Sequence, residues 1–243
     1  MRMLTFAKRC AKEILRDPLT VFFGLGFPVV LLLLLSAIQA NIPVPLFEIQ
    51  TLAPGMTVFG LSFMTLFSAT LISKDRESAL LQRLYATPMT GWDFILGYML
   101  PMLPLAFLQG VCCFLVGAVL GLKLTANILL AALFVLPVSL FFIAMGLLLG
   151  SLLNQKQVGG ICGALLTNLT AWFSGIWFDL DLVGGTFKKI ADLMPFVHAV
   201  ELEQAVAAGD LAAALPHLPW VLGYGLAAMV LAVAVFLKKM RSC

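Results

Sequence analysis

Apolar and polar positions alternate in long blocks along this chain, and six of the apolar blocks are long enough to cross a bilayer. They run from about Leu19 to Ala40, Met56 to Ile72, Phe94 to Leu120, Ile128 to Leu153, Val158 to Phe178 and Leu218 to Leu237. A membrane-spanning helix needs roughly 20 apolar residues. The pattern predicts an all-α membrane protein with six transmembrane helices in a single transmembrane domain over residues 1–243. Pro101, Pro104 and Pro137 are expected to kink the third and fourth spans.

Three segments between or before the spans read differently. Residues 1–17 predict an amphipathic helix at the membrane interface. Leu4, Ala7, Ala11, Ile14 and Leu15 fall on one face, with Lys8, Arg9, Lys12 and Arg16 on the other, until Asp17-Pro18 breaks the pattern. Residues 179–217 are too polar to span and too apolar for a free linker; helical spacing on either side of Pro195 predicts short helices in the outer leaflet. Residues 74–90 lie between the second and third spans. There Ser73 or Asp75 is expected to cap a new helix. Glu77, Leu80, Leu81 and Leu84 share one face, and Thr87-Pro88 ends it. Periodicity alone leaves two uses for this helix, docking into a groove of another protein or lying on the membrane surface as a connector.

Charge fixes the expected orientation. With the start of the chain in the cytoplasm, twelve Lys and Arg fall on inner segments and only Lys123, Lys188 and Lys189 on outer ones. Both termini are expected to be cytoplasmic. The first apolar run exceeds the roughly 7–15 residues of a signal-peptide core, so it reads as a retained anchor. Composition agrees with this class: 62% of the 243 residues are hydrophobic and 11% charged, and mean hydropathy is +1.06. The five cysteines form no CxxC or Cys/His pattern, so neither a zinc site nor a disulfide framework is indicated. No G-x-x-x-x-G-K-[ST] occurs, so the chain holds no P-loop. No nucleic-acid partner is indicated.

The segment DRESALLQRLYATPMTGWDFILGYML, residues 75–100, resembles the intracellular segment of ABC-2-type transporter permeases, the membrane subunits of ATP-binding-cassette exporters. The matching positions are Arg76, Glu77, Ala79, Leu80, Arg83, Leu84, Pro88 and Gly97, with Ser78-Ala79 in place of the usual glycine. FSGIWFDL (173–180) resembles the family's end of the fifth span, with Asp179 where proline is common. LMPFVHAVE (193–201) resembles its outer-loop element, with Met194 and His198 departing from asparagine and tyrosine. The order of these pieces and the topology are also similar.

The resemblance implies a fold and a mechanism. Residues 74–90 would be a cytoplasmic coupling helix seated in a separate ABC ATPase subunit, two copies of which would carry ATP and Mg; this chain would bind no cofactor itself. Glu77 and Arg83 would fix its register, Leu80, Leu81 and Leu84 would anchor it, and Arg76 and Pro88 would belong to the same coupling segment. A second copy, or a homologous permease, would complete the path, with membrane lipid around it. The second and fifth spans would line that path, through Phe63, Thr65 and Phe67 and through Asn168, Thr170, Trp172 and Phe173. The expected location is the cell (inner) membrane of a bacterium, and the expected cargo an amphipathic drug-like or lipid-like molecule, since the aromatics show no evident ladder in sequence.

Other classes are weighed against this. A proton- or sodium-coupled transporter is disfavoured because no ionisable residue sits deep in a span. An intramembrane enzyme lacks its motifs: Ser174 is not in a G-x-S-G context. His198 and Glu201 have metal-ligand spacing, but no second histidine joins them in sequence and His217 stands alone, so no metal site is expected. A non-transporting scaffold subunit stays open.

Overall fold

The computed structural model describes residues 2–78, 80–85 and 89–241, with the side chains of Gln82, Arg83, Tyr85 and residues 239–241 outside the description. Every regular element among them is helical. Helix α1 (Arg2–Arg16) forms where expected, but it buries Phe6, Ala7, Cys10 and Ile14. Leu4 and Leu15, expected on the same face, are exposed. Phe6 makes edge-on contacts with Phe94 at 5.6 Å and Tyr98 at 4.8 Å, and this aromatic packing selects the inward face. Burial pushes the Cys10 thiol up to about 12, so it acts as a small hydrophobe.

The first span joins α2 (Pro18–Val21), a π-helical stretch Phe22–Gly26 and α3 (Phe27–Gln39) into one run. Asp17 starts it by accepting from the Leu19 amide. Helix α4 (Ile49–Glu77) is longer than the second span expected at 56–72, and every residue from Leu52 to Thr65 is buried. Its 29 residues make a rod roughly 43 Å long. α4 also runs past Ser73 and Asp75, so neither caps a new helix. The segment 74–90 is instead the C-terminal end of α4 followed by a separate short helix, α5 (Leu80–Tyr85). Ala79, Ala86, Thr87 and Pro88 lie outside the described residues.

A capping box between Thr90 and Asp93 starts α6 (Gly91–Met99). A break at Leu100-Pro101 separates it from α7 (Met102–Val119), as expected of Pro101, whereas α8 (Ala126–Leu152) continues through Pro137. The α4–α8 seam is built on small residues. A side chain at Gly150 would meet Ala69 O at 2.5 Å and its Cα at 2.6 Å, and one at Gly146 would run into Ser68 and the Thr65 carbonyl. Thr65 itself donates to the Phe142 carbonyl at 2.8 Å across this seam.

The expected fifth span is helical over residues 155–173, as α9 (Gln155–Val158), a π-helical stretch Gly159–Leu166 and α10 (Thr167–Phe173). Among the described residues five helices are long and apolar enough to cross a membrane: Pro18–Gln39, Ile49–Glu77, Gly91–Val119, Ala126–Leu152 and Leu211–Lys238. The run 155–173 is not among them; it opens on Gln155, Lys156 and Gln157.

Four helices fill the next segment: α11 (Leu180–Val183), α12 (Gly185–Leu193), α13 (Pro195–Ala208) and α14 (Leu211–Ala214), ahead of α15 (Leu218–Arg241). α13 packs on α8 and α4. Phe196 meets Phe141 at 6.0 Å, and Gln204 donates to the Thr51 carbonyl at 3.0 Å. Outside the candidate spans, Glu203 is fully buried on α13 and neither carboxylate oxygen has a partner. Burial raises its carboxyl well above its usual value of 4.5. The native state therefore binds a proton that the unfolded chain releases, and stability falls as pH rises above about 4.5. Glu203→Gln is expected to flatten that part of the dependence of melting temperature on pH, which thermal scans between acidic and neutral pH will show.

Candidate functional site

Two regions carry the expected functional residues, the junction where α1, α4 and α6 meet and a cleft between the long apolar helices. At the junction, Asp75 is buried near the end of α4. It takes a forked ion pair from Arg9 of α1, with Nη2–Oδ1 at 2.6 Å, and a hydrogen bond from the Tyr98 hydroxyl of α6 at 2.8 Å. Glu13 extends the network to Arg9 at 2.6 Å and Lys74 at 2.7 Å. Charge-assisted, bidentate bonds of this kind hold geometry as well as energy. α1, α4 and α6 are thereby tied at one point. The spacing of Arg9 and Asp75 (66 positions) left the link invisible to local periodicity.

The Arg76–Glu77 pair, expected to face a partner, also has partners within the chain: Arg76 is half-buried and Glu77 is exposed. The Arg76 guanidinium donates to the carbonyls of Gly150 (3.2 Å), Ser151 and Leu153 (2.6 Å), which close α8. Glu77 accepts from the Gln155 amide at 2.8 Å, at the start of α9. The free carbonyls of a helix end attract a cation and the free amides of a helix start attract an anion. One Arg–Glu dipeptide thus clamps the turn between the fourth span and the next helix.

The leucines divide as well. Leu81 is in the core, so it is not an outward anchor. Leu80 and Leu84 line a groove of about 570 Å³ between α5 and α1, together with Arg2, Phe6 and Met89. Pro88 and the Arg83 side chain lie outside the described residues. A second, polar crevice of about 890 Å³ lies beside α1, edged by Lys8, Lys12, Arg16 and Lys74.

A cleft of about 580 Å³ opens between the first span, α4 and α10. Of the expected path residues, the structure brings Phe63, Asn168 and Trp172 together here. Thr65 belongs to the α4–α8 seam, Thr170 is buried and bonds the Leu166 carbonyl, and Phe173 stacks on Phe187 at 4.8 Å. Phe67 stacks under Phe63 at 6.4 Å and borders the polar crevice. The aromatics, which show no ladder in sequence, form one in space. Phe27 and Phe59 meet Phe63 at 5.5 and 6.0 Å, and Trp177 meets Phe59 at 6.0 Å. Both π-helical stretches reach this cleft, through Phe23 and Gly163; an extra residue in a helical turn re-aims side chains and often marks a functional surface.

Adjoining the cleft, and sharing Trp177 and Phe178 with it, is a vestibule of about 500 Å³ bordered also by Thr51, Asp181, Asp192 and Glu201. Next to it the structure joins His217 to His198 and Glu201, which corrects the expectation that His217 stands alone.

Long apolar helices around a cleft, with a charged junction at one end, define a multi-pass membrane protein of the transport class. The chain belongs to the ABC-2 type transporter family, whose model matches residues 1–206, and so it is a permease subunit of an ABC transporter. No curated protein sequence gives a match to the chain.

Proposed function

We propose that this permease moves an amphipathic, largely apolar cargo of drug-like or lipid-like chemistry out of the cytoplasm or inner leaflet, driven by a separate ABC ATPase. The observation that carries the reading is the cleft. Its walls are phenyl and indole rings, Thr167 and Asn168 are its main polar groups, and no charged side chain borders it. Such a wall suits an apolar body with few polar groups. A long sugar chain, which also stacks on rings, needs many more hydrogen-bond partners than this cleft offers.

The power stroke enters at the groove between α1 and α5. An ATPase surface seated against Leu80 and Leu84 pushes on α1 and α5 together. The Arg9–Asp75–Tyr98 knot passes that movement to α4 and α6, and α4 carries it to Phe59 and Phe63 at the cleft, a rigid-lever transmission. ATP and Mg sit on two copies of the partner subunit. The run 155–173 serves as the sixth crossing, which places both chain ends in the cytoplasm of a bacterial inner membrane. A second copy or a homologous permease closes the cleft into a path. Lys8, Lys12 and Arg16 rest on anionic headgroups.

The test measures ATP hydrolysis by the purified permease–ATPase complex in nanodiscs against a panel of amphiphiles. Stimulation by apolar amphiphiles, reduced about tenfold or more in potency by Phe63→Ala with Trp172→Ala, is the expected result. Stimulation by soluble oligosaccharides alone overturns the cargo assignment.

A further inference from the structure

The geometry points to a binding site for one divalent transition-metal ion of the zinc class, held by His198, Glu201 and His217. His198 and Glu201 stand one turn apart on α13. His217 comes from the turn that leads into α15, its amide bonded to the Ala214 carbonyl. The three donor atoms face one point. His198 Nδ1 and His217 Nδ1 are 3.0 Å apart, His217 Nδ1 and Glu201 Oε2 are 3.2 Å apart, and His198 Nδ1 and Glu201 Oε2 are 3.9 Å apart. A tetrahedral ion with bonds of about 2.0–2.1 Å needs donor–donor edges of roughly 3.3 Å. The triangle brackets that length before any ion is placed.

The surroundings orient the donors as metal sites do. His198 Nε2 lies 2.8 Å from the Asp192 carbonyl. A carbonyl only accepts, so Nε2 carries the hydrogen and Nδ1 of the neutral ring presents its lone pair to the centre. The ring is held further by stacking on Trp220 at 4.7 Å. In turn, the Tyr224 hydroxyl donates to the Leu193 carbonyl at 2.8 Å, holding the end of α12 that supplies Asp192. Without an ion, His217 Nδ1 has one hydrogen to offer two acceptors. A cation satisfies all three donors at once.

Access and donor type define the ion. Glu201 is half exposed and borders the vestibule, leaving a route and an open fourth position. Two imidazoles and one carboxylate favour zinc and its transition-metal neighbours over magnesium or calcium, which take oxygen donors. The bound ion ties α13, which packs on α4, to the start of α15 across the outer helical layer. This assignment does not depend on the cargo reading, and His217 lies beyond the stretch that matches the family.

The test titrates chelator-washed protein in detergent with Co²⁺, then Zn²⁺. The expected result is one Co²⁺ per chain with the intense visible bands of a four-coordinate site, erased as Zn²⁺ displaces it. Glu201→Gln and His217→Ala each weaken binding by at least about 100-fold, beyond what loss of an outer-shell partner does. Glu201 is exposed enough that its variant keeps the fold, which the gel-filtration profile verifies. A wild type that binds no more Co²⁺ than a variant combining His198→Ala, Glu201→Gln and His217→Ala, or that shows only weak six-coordinate bands, overturns the site and leaves a hydrogen-bonded histidine pair.

Discussion

Asp75→Ala is expected to lower the stability of the purified permease by about 3 kcal/mol, the cost of removing one partner from a buried ion pair. The carboxylate is buried and serves three helices, accepting from Arg9 and Tyr98. Without it, the Tyr98 hydroxyl loses its hydrogen-bond partner in the interior, and Arg9 keeps only Glu13 of its own helix. Asp75→Asn retains the shape but offers one acceptor where the guanidinium fork needs two, so it should fall between wild type and alanine. Thermal melts followed by helical circular dichroism measure both. If the knot transmits force, Asp75→Ala also leaves the basal ATP hydrolysis of the complex in place while abolishing its stimulation by cargo. Unchanged stability in Asp75→Ala would mean that the network is ornamental.

Gly150→Val is expected to cost a similar amount, about 3 kcal/mol, the upper end for overpacking. The added carbon would meet backbone atoms of Ala69 at 2.5 and 2.6 Å, and backbone cannot swing away as a side chain can. Replacing glycine in a helix gains up to about 1 kcal/mol of propensity, which the clash exceeds. The helices must separate, and the Thr65–Phe142 bond stretches with them. Gly159 is the control. Nothing lies within 4 Å of a side chain added there, so Gly159→Ala should be neutral or slightly stabilising. Detergent-unfolding midpoints of the two variants separate a glycine required for packing from one that is not.

These two sites show where sequence reading reaches its limit. Periodicity and composition found α1, four of the spans near their observed bounds and the helices of the outer segment, because each depends on neighbours within a turn or two. Gly146/Gly150 and Gly159/Gly163 have the same spacing in the sequence, but only the first pair meets another helix closely. Ser73 and Asp75 carried a capping signal, but the long-range tie of Asp75 to Arg9 keeps α4 helical through them. Arg76 and Glu77 find their partners 74 to 78 positions away, so their clamp on the end of α8 and the start of α9 had no local trace. The cleft was half legible: Phe63, Asn168 and Trp172 share it, whereas Phe23 and Phe27 were missed because the π-helical stretch Phe22–Gly26, which holds Phe23 and immediately precedes Phe27, is not a sequence pattern. His217 and Glu203 were missed for the same reason in reverse, since α13 folds back onto helices far from it in the chain.

The most direct measurement is to purify the tagged permease gently from its native host and to assay what accompanies it. Wild-type preparations should contain a P-loop ATPase subunit and hydrolyse ATP, and Leu80→Glu with Leu84→Glu should lose both while keeping the helical content of the wild type. If wild-type preparations hold no nucleotide-hydrolysing subunit, even after crosslinking in the membrane, the claim that the α1–α5 groove couples this permease to an ATPase is contradicted.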